Sequence, residues 1–151
     1  GGRLKIGEAM SPPLIKEVKK YYPESEIRIF DSPPGTTCPV IESVKGSDII
    51  ILVGEPTPFG LNDLKLAVEM ARAVEIPFGV VENKSGDKNN SLREFCKREK
   101  VDLLASIPET REIAERYSTG DPVSYITEFY SGELDKIAGF IRGKNLRSIK
   151  I

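Results

Sequence analysis

Residues 27–39, Ile-Arg-Ile-Phe-Asp-Ser-Pro-Pro-Gly-Thr-Thr-Cys-Pro, run an apolar strand into an aspartate and then into a Pro-Pro-Gly turn. A carboxylate at the carboxyl edge of a strand stands where open α/β sheets hold ligands. Asp31 offers a hard oxygen of the kind that holds a magnesium ion or its water, and Gly35, lacking a side chain, lets a backbone N–H approach a terminal phosphate. Pro33 and Pro34 restrict the loop that aims it. The plainer alternative for Asp31 is a cap on the helix that follows. Nowhere in the 151 residues is there a Gly-rich loop ending in Gly-Lys-Ser/Thr to cradle the remaining phosphates.

The elements that must position these residues alternate along the chain. Leu4–Ile6 reads as a short strand, and Pro12-Pro13 open a helix that runs to Tyr21 and stops before Pro23. Ile27–Phe30 is the next strand, and Pro39–Lys45 a short helix closed by Gly46. Asp48–Val53 is apolar on both faces, as a strand of a parallel sheet covered on both sides must be. Glu55, at the edge of that strand, faces the same crevice as Asp31 if the sheet is parallel; otherwise it is a solvated surface carboxylate. A helix from about Leu61 to Val74 puts Leu61, Leu64, Val68 and Ala71 on one stripe.

Ile76–Val81 is a strand leading into the polar stretch 82–87, where Asn83 read alone is a turn residue. A helix through Leu92, Phe95 and Cys96 follows, then the strand Asp102–Ile107, broken by Pro108. Glu109–Tyr117 should be helical, with Gly120 as its stop and Pro122 past its end, and Gly132–Ile141 forms the last helix. The pattern predicts an α/β fold: a mostly parallel sheet of about five strands with helices on both faces, in one domain over residues 1–143, followed by a polar tail over 144–151.

Composition narrows the function. With 22 Lys and Arg against 23 Asp and Glu the formal charge is −1, so the basic excess that drives phosphate-backbone binding is absent and nucleic acid is not the expected partner. The chain has no histidine, which removes histidine general-base chemistry. Its two cysteines, Cys38 and Cys96, form no Cys-x-x-Cys pair and read as small thiols in a reducing compartment, Cys38 beside the turn being the more reactive candidate. No apolar run reaches the roughly 20 residues that span a bilayer, and a cytoplasmic location is expected.

Asp31-Ser-Pro-Pro-Gly-Thr-Thr-Cys-Pro39, Val53-Gly-Glu-Pro-Thr-Pro-Phe-Gly-Leu-Asn-Asp-Leu64, Asn83 after a strand, and Ile107-Pro-Glu109 before Arg111-Glu-Ile-Ala-Glu-Arg-Tyr-Ser118 together resemble the MinD-superfamily P-loop ATPases that carry an inserted ferredoxin domain. These are relatives of the Mrp, ParA and nitrogenase iron proteins. The resemblance spans about Leu4 to Ile141. It implies that Asp31 orders a water on the nucleotide's magnesium and that Gly35, flanked by Pro34 and Thr36, donates its amide near the γ-phosphate. It also implies that Asn83 hydrogen-bonds adenine while the loop through Pro108 and Glu109 packs on the base. The implied cofactors are ATP and Mg.

The sequence departs from that family in lacking its first strand, its Walker A loop, its switch aspartate and its cysteine-rich ferredoxin insert, so the resemblance is to a C-terminal half. Iron–sulfur clusters are expected only on the absent insert. The implied partners are the missing P-loop half or a homologous subunit, a second copy in a homodimer, and an iron–sulfur or electron-transfer protein; hydrolysis is expected only once the missing half is supplied. In the family the P-loop strand lies between the strand ending at Asp31 and the one ending at Val53, so its absence leaves unpaired edges and an apolar slot. The rival expectation is a non-catalytic, ATPase-derived module docking a protein through its 55–61 and 35–39 loops. A Rossmann-type dinucleotide enzyme is disfavoured, since no Gly-x-Gly-x-x-Gly follows any predicted strand.

Overall fold

The computed structural model describes residues 11–20, 27–86 and 89–145. In chain order these form α1 (Ser11–Lys20), α2 (Cys38–Val44), β1 (Ile50–Gly54), α3 (Pro58–Ala73), β2 (Phe78–Ser85), α4 (Ser91–Glu99), β3 (Leu103–Pro108), α5 (Arg111–Thr119), α6 (Pro122–Phe129) and α7 (Ser131–Asn145). The strands pair in parallel in the order β1-β2-β3, with Ile50 opposite Phe78, Gly54 opposite Glu82 and Asn83 opposite Ile107. Parallel neighbours need long crossovers, and α3 and α4 provide them.

One hydrophobic core explains this arrangement. Ile50, Leu52 and Val80 point to the same sheet face, where Leu64, Val68 and Ala71 of α3 and Leu92, Phe95 and Cys96 of α4 close over them. The predicted stripe of α3 is thus its buried face, although the helix begins earlier than expected. Pro58 needs no N–H in the first turn, and the Thr57 side chain accepts a hydrogen bond from Gly60 N at 3.0 Å. Thr110 caps α5 in the same way, taking Ile113 N at 3.2 Å, so α5 starts at Arg111 rather than Glu109. α7 packs against β3.

Three features differ from the sequence expectation. The sheet has three strands among the described residues, not five. The predicted strand 4–6 lies outside the described residues, and Ile27–Phe30 is not one of the three strands of the sheet among the described residues. Ile29 is 87% exposed, and on β1, an edge of the sheet among the described residues, Val53 is 64% exposed. Second, β2 continues to Ser85, so Asn83 lies inside the strand instead of after it. Third, Pro122 does not follow a helix end but opens the additional helix α6, at the first-turn position proline tolerates. Gly120 stops α5 as expected, with φ +81°.

α1 and α2 pack on each other. Lys19 joins them: its ammonium donates to the carbonyls of Lys45 (2.7 Å) and Glu42 (3.1 Å), at the negative end of α2, and lies over the Phe30 ring. Burial pulls the Lys19 pKa below the ordinary lysine value, with Glu42 opposing. The segment carrying Asp31 is therefore tied to the helix that follows it.

Candidate functional site

The carboxyl ends of β1, β2 and β3 bring four of the sequence-predicted site residues together. Glu55 follows Gly54 directly, Asn83 sits opposite Ile107, and Pro108 ends β3 opposite Ser85. Glu109 N donates to Ser85 O at 3.2 Å, fixing the loop after β3 against the end of β2. Asn83 is half-buried, and among the described residues its side-chain amide, which carries a donor group and an acceptor, has no hydrogen-bond partner. Lys84 follows Asn83 in β2, and its Nζ lies 2.7 Å from Glu55 Oε1. The hydrogen bond to Glu55 and its charge raise the Lys84 pKa, and Glu109 adds to the shift.

The loop after β2 is held to the loop after β1. The Asn89 side chain donates to the Pro56 carbonyl and accepts from Ser91 N at 3.0 Å, so this residue ties the loop after β1 to the first residue of α4. Beneath the rim, Glu82 is wholly buried, with Oε2 taking Arg93 Nε at 2.8 Å. Its other oxygen, Oε1, has no partner.

The remaining predicted residues form a second group. Asp31, Pro34 and Gly35 are exposed and Thr36 is half-buried in the loop before α2, where Ser32 and Ser43 share a hydroxyl hydrogen bond. Gly35 has φ +94°, a conformation that glycine adopts without strain, and the place of its missing side chain is open space. Among the described residues Asp31 makes no hydrogen bond or ion pair. No hydrogen bond or ion pair among the described residues joins this loop to the Glu55–Asn83–Glu109 group.

Cys38 is exposed at the start of α2, whereas Cys96 is buried in the core. The described residues contain no group of three or more His, Cys, Asp or Glu able to hold a metal ion. A cavity of about 340 Å³ lies at the opposite end of the sheet, lined by Arg72, Glu75, Phe78 and Asp102 among others, and holds none of the predicted site residues. No described helix is long and apolar enough to cross a membrane.

Sequence reasoning missed Glu82, Lys84, Arg93 and Asn89. Glu82 continues the two-residue alternation from Val80, which is the signal that the strand does not end at Val81.

The fold is that of an α/β protein with its candidate site at the carboxyl ends of parallel strands. No family model matches the chain. It is similar to an iron–sulfur cluster carrier protein of Pyrococcus horikoshii, 32% identical over 126 residues, covering 73% of this chain and 42% of that protein. It is similar also to an iron–sulfur cluster carrier protein of Aquifex aeolicus, 32% identical over 110 residues, covering 63% of this chain and 30% of that protein. An uncharacterized protein of Methanocaldococcus jannaschii is 30% identical over 142 residues, covering 93% of this chain and 50% of that protein. The chain thus spans half or less of the length of these relatives, and it is a distant relative of proteins that bear the iron–sulfur carrier name.

Proposed function

We propose that the chain is the nucleotide-binding C-terminal part of a MinD/Mrp-like P-loop ATPase, with residues 1–143 as the partial ATPase domain and 144–151 as its tail, serving iron–sulfur or electron-transfer chemistry. The observation that carries this reading is the convergence of Glu55, Asn83, Pro108 and Glu109 at one end of a parallel sheet, where α/β proteins bind ligands. The names of the distant relatives supply the iron–sulfur theme.

In this reading Asn83 would hydrogen-bond the base, Pro108 and Glu109 would pack beside it, and Asp31 would hold a water of the magnesium ion. Gly35 and Thr36 would face the terminal phosphate. ATP with its magnesium supplies the phosphoryl group and the charge that organises it; this chain's residues bind and orient. The chain has no lysine in a Gly-rich strand-to-helix turn, so stabilising the transferring phosphoryl group falls to a P-loop half, covalent or separate, and a homodimer is the expected assembly. Among the described residues β1 lies at an edge of the sheet, so its outer ladder is the place where a further strand would pair.

The test is ATP turnover in the presence of Mg by this chain joined to a relative's P-loop half. Hydrolysis above that of either part alone supports the reading; no ATP binding and no turnover in the assembled pair overturns it.

A further inference from the structure

Among the described residues Asp31, Pro33, Pro34, Gly35 and Thr36 make no hydrogen bond or ion pair. A loop without bonds of its own takes its position from its flanks. On the far side, Thr37 O accepts from Val40 N at 2.9 Å and Ile41 N at 3.1 Å to start α2, and the Ser32 hydroxyl shares its hydrogen bond with Ser43 of that helix. On the near side, the residue before Asp31 is Phe30, whose ring centroid lies 5.3 Å from the Lys19 ammonium.

Lys19 joins the two flanks from a third element, α1. Its ammonium donates to Lys45 O and Glu42 O at the end of α2, where a helix leaves its last carbonyls without partners of its own. Burial works against the charge and lowers the Lys19 pKa, so an alkyl chain alone would pack between α1 and α2 with less opposition. The charge is accounted for by what it holds: two carbonyls and one ring, from opposite sides of the loop. Attachment of α1 does not rest on this residue alone, because Lys16 Nζ also reaches the Glu42 carboxylate, at 3.9 Å.

We propose that Lys19 is a positioning residue for the loop 31–37, its one ammonium holding the Phe30 ring and the end of α2 so that Asp31 and Gly35 are presented from a span fixed at both ends. This rests on the nucleotide-binding reading above and adds the side chain, distant in sequence from the loop, that sets the loop's place. Lys19 touches no substrate in this role.

The test has two arms, and both compare Lys19→Met, which keeps an apolar stem, with Lys19→Arg, which keeps the charge and its donors. In the 151-residue chain alone, hydrogen exchange should find the amides of Val40, Ile41 and Lys45 about two- to fivefold faster in the Met variant, the worth of a cation at a helix C-terminus, while α3 and α4 are unchanged. Melting should fall by no more than about 4 °C, which separates a loosened loop from a lost fold. In the chain assembled with a P-loop half, the Met variant should turn over ATP about tenfold more slowly with KM within about twofold, as misplacement of bound groups does, and Arg should recover most of the loss. Unchanged exchange in the Met variant overturns the proposal, as does unchanged turnover in an assembly whose wild type hydrolyses ATP. Equal losses in the Met and Arg variants overturn it too. A wild-type assembly that neither binds nor hydrolyses ATP overturns the proposed function, whereas the exchange arm still decides whether Lys19 orders the loop.

Discussion

Arg93 Nε donates to Glu82 Oε2 at 2.8 Å, joining a guanidinium that is half in solvent to a carboxylate with no exposed surface. This bond carries β2 past the apolar residues Val80 and Val81 and into the polar stretch, since Glu82 can be buried between the sheet and α4 only if a cation meets it there. Asn83 and Lys84 then reach the crevice on a strand rather than on a loose turn.

The pair should be energetically asymmetric. Arg93→Ala leaves a buried carboxylate uncompensated, already with one unsatisfied oxygen, and should lower unfolding free energy by about 3 kcal/mol, the lower end for a buried pair because Arg93 is partly solvated. Adding Glu82→Leu to that variant should recover most of the loss by removing the stranded charge. Urea unfolding of the two variants checks this; a double variant no more stable than Arg93→Ala would show that the carboxylate is not the cause.

Cys96 gives a pH prediction. Burial, aided by the Glu82 charge, pushes its thiol from the ordinary value of 9.0 up to about 11. Between these values the unfolded chain has released the thiol proton while the folded chain retains it, so raising the pH favours unfolding, and the contribution is complete below pH 9 and lost towards pH 11. Wild type should therefore lose more melting temperature than Cys96→Ala across pH 9–11. Thiol titration at pH 8 should find Cys38 reacting at once and Cys96 only after denaturation.

For Asn83, replacement by Ala in the assembled protein should weaken ATP binding by about two- to twelvefold, the worth of one net hydrogen bond of about 0.5–1.5 kcal/mol, and should erode the preference for ATP over GTP. Calorimetry with both nucleotides reads the two effects together. Equal affinities for ATP and GTP before and after the change would remove Asn83 from base recognition.

How legible these features were follows from the range of the forces behind them. The stripe Leu61, Leu64, Val68 and Ala71 marked the buried face of α3 because a helix's own periodicity records which side is covered. The apolar run of β1 marked a strand of the parallel sheet, although the cover on both faces that it predicted is lacking at Val53. Glu82 was illegible because its burial depends on Arg93, supplied by a different element. Ile27–Phe30 has the composition of a strand but is not one of the three strands among the described residues, since pairing is a property of two segments and composition describes one. Asn83, Pro108 and Glu109 were named from resemblance, and only the sheet register reveals that they share one crevice with Glu55; Lys84 carried no signal beyond its place next to Asn83.

The outer face of β1 distinguishes an isolated fold from one awaiting a further strand. Val53 is largely in solvent, so Val53→Lys should change the stability of the 151-residue chain by less than about 0.5 kcal/mol, as surface substitutions do. If a P-loop half both pairs with β1 and packs a helix on the open face of the sheet in the working protein, the same position becomes apolar interior, where a lysine must be desolvated without a partner. Val53→Lys should then weaken association with the P-loop half by at least about tenfold, the equivalent of 1.4 kcal/mol. Wild type mixed with that half should gain melting temperature through binding of the folded form, and the variant should gain much less. Differential scanning calorimetry of chain, half and mixture makes the comparison. Equal gains in wild type and variant would place the partner elsewhere on the molecule and leave β1 as a true edge of the sheet.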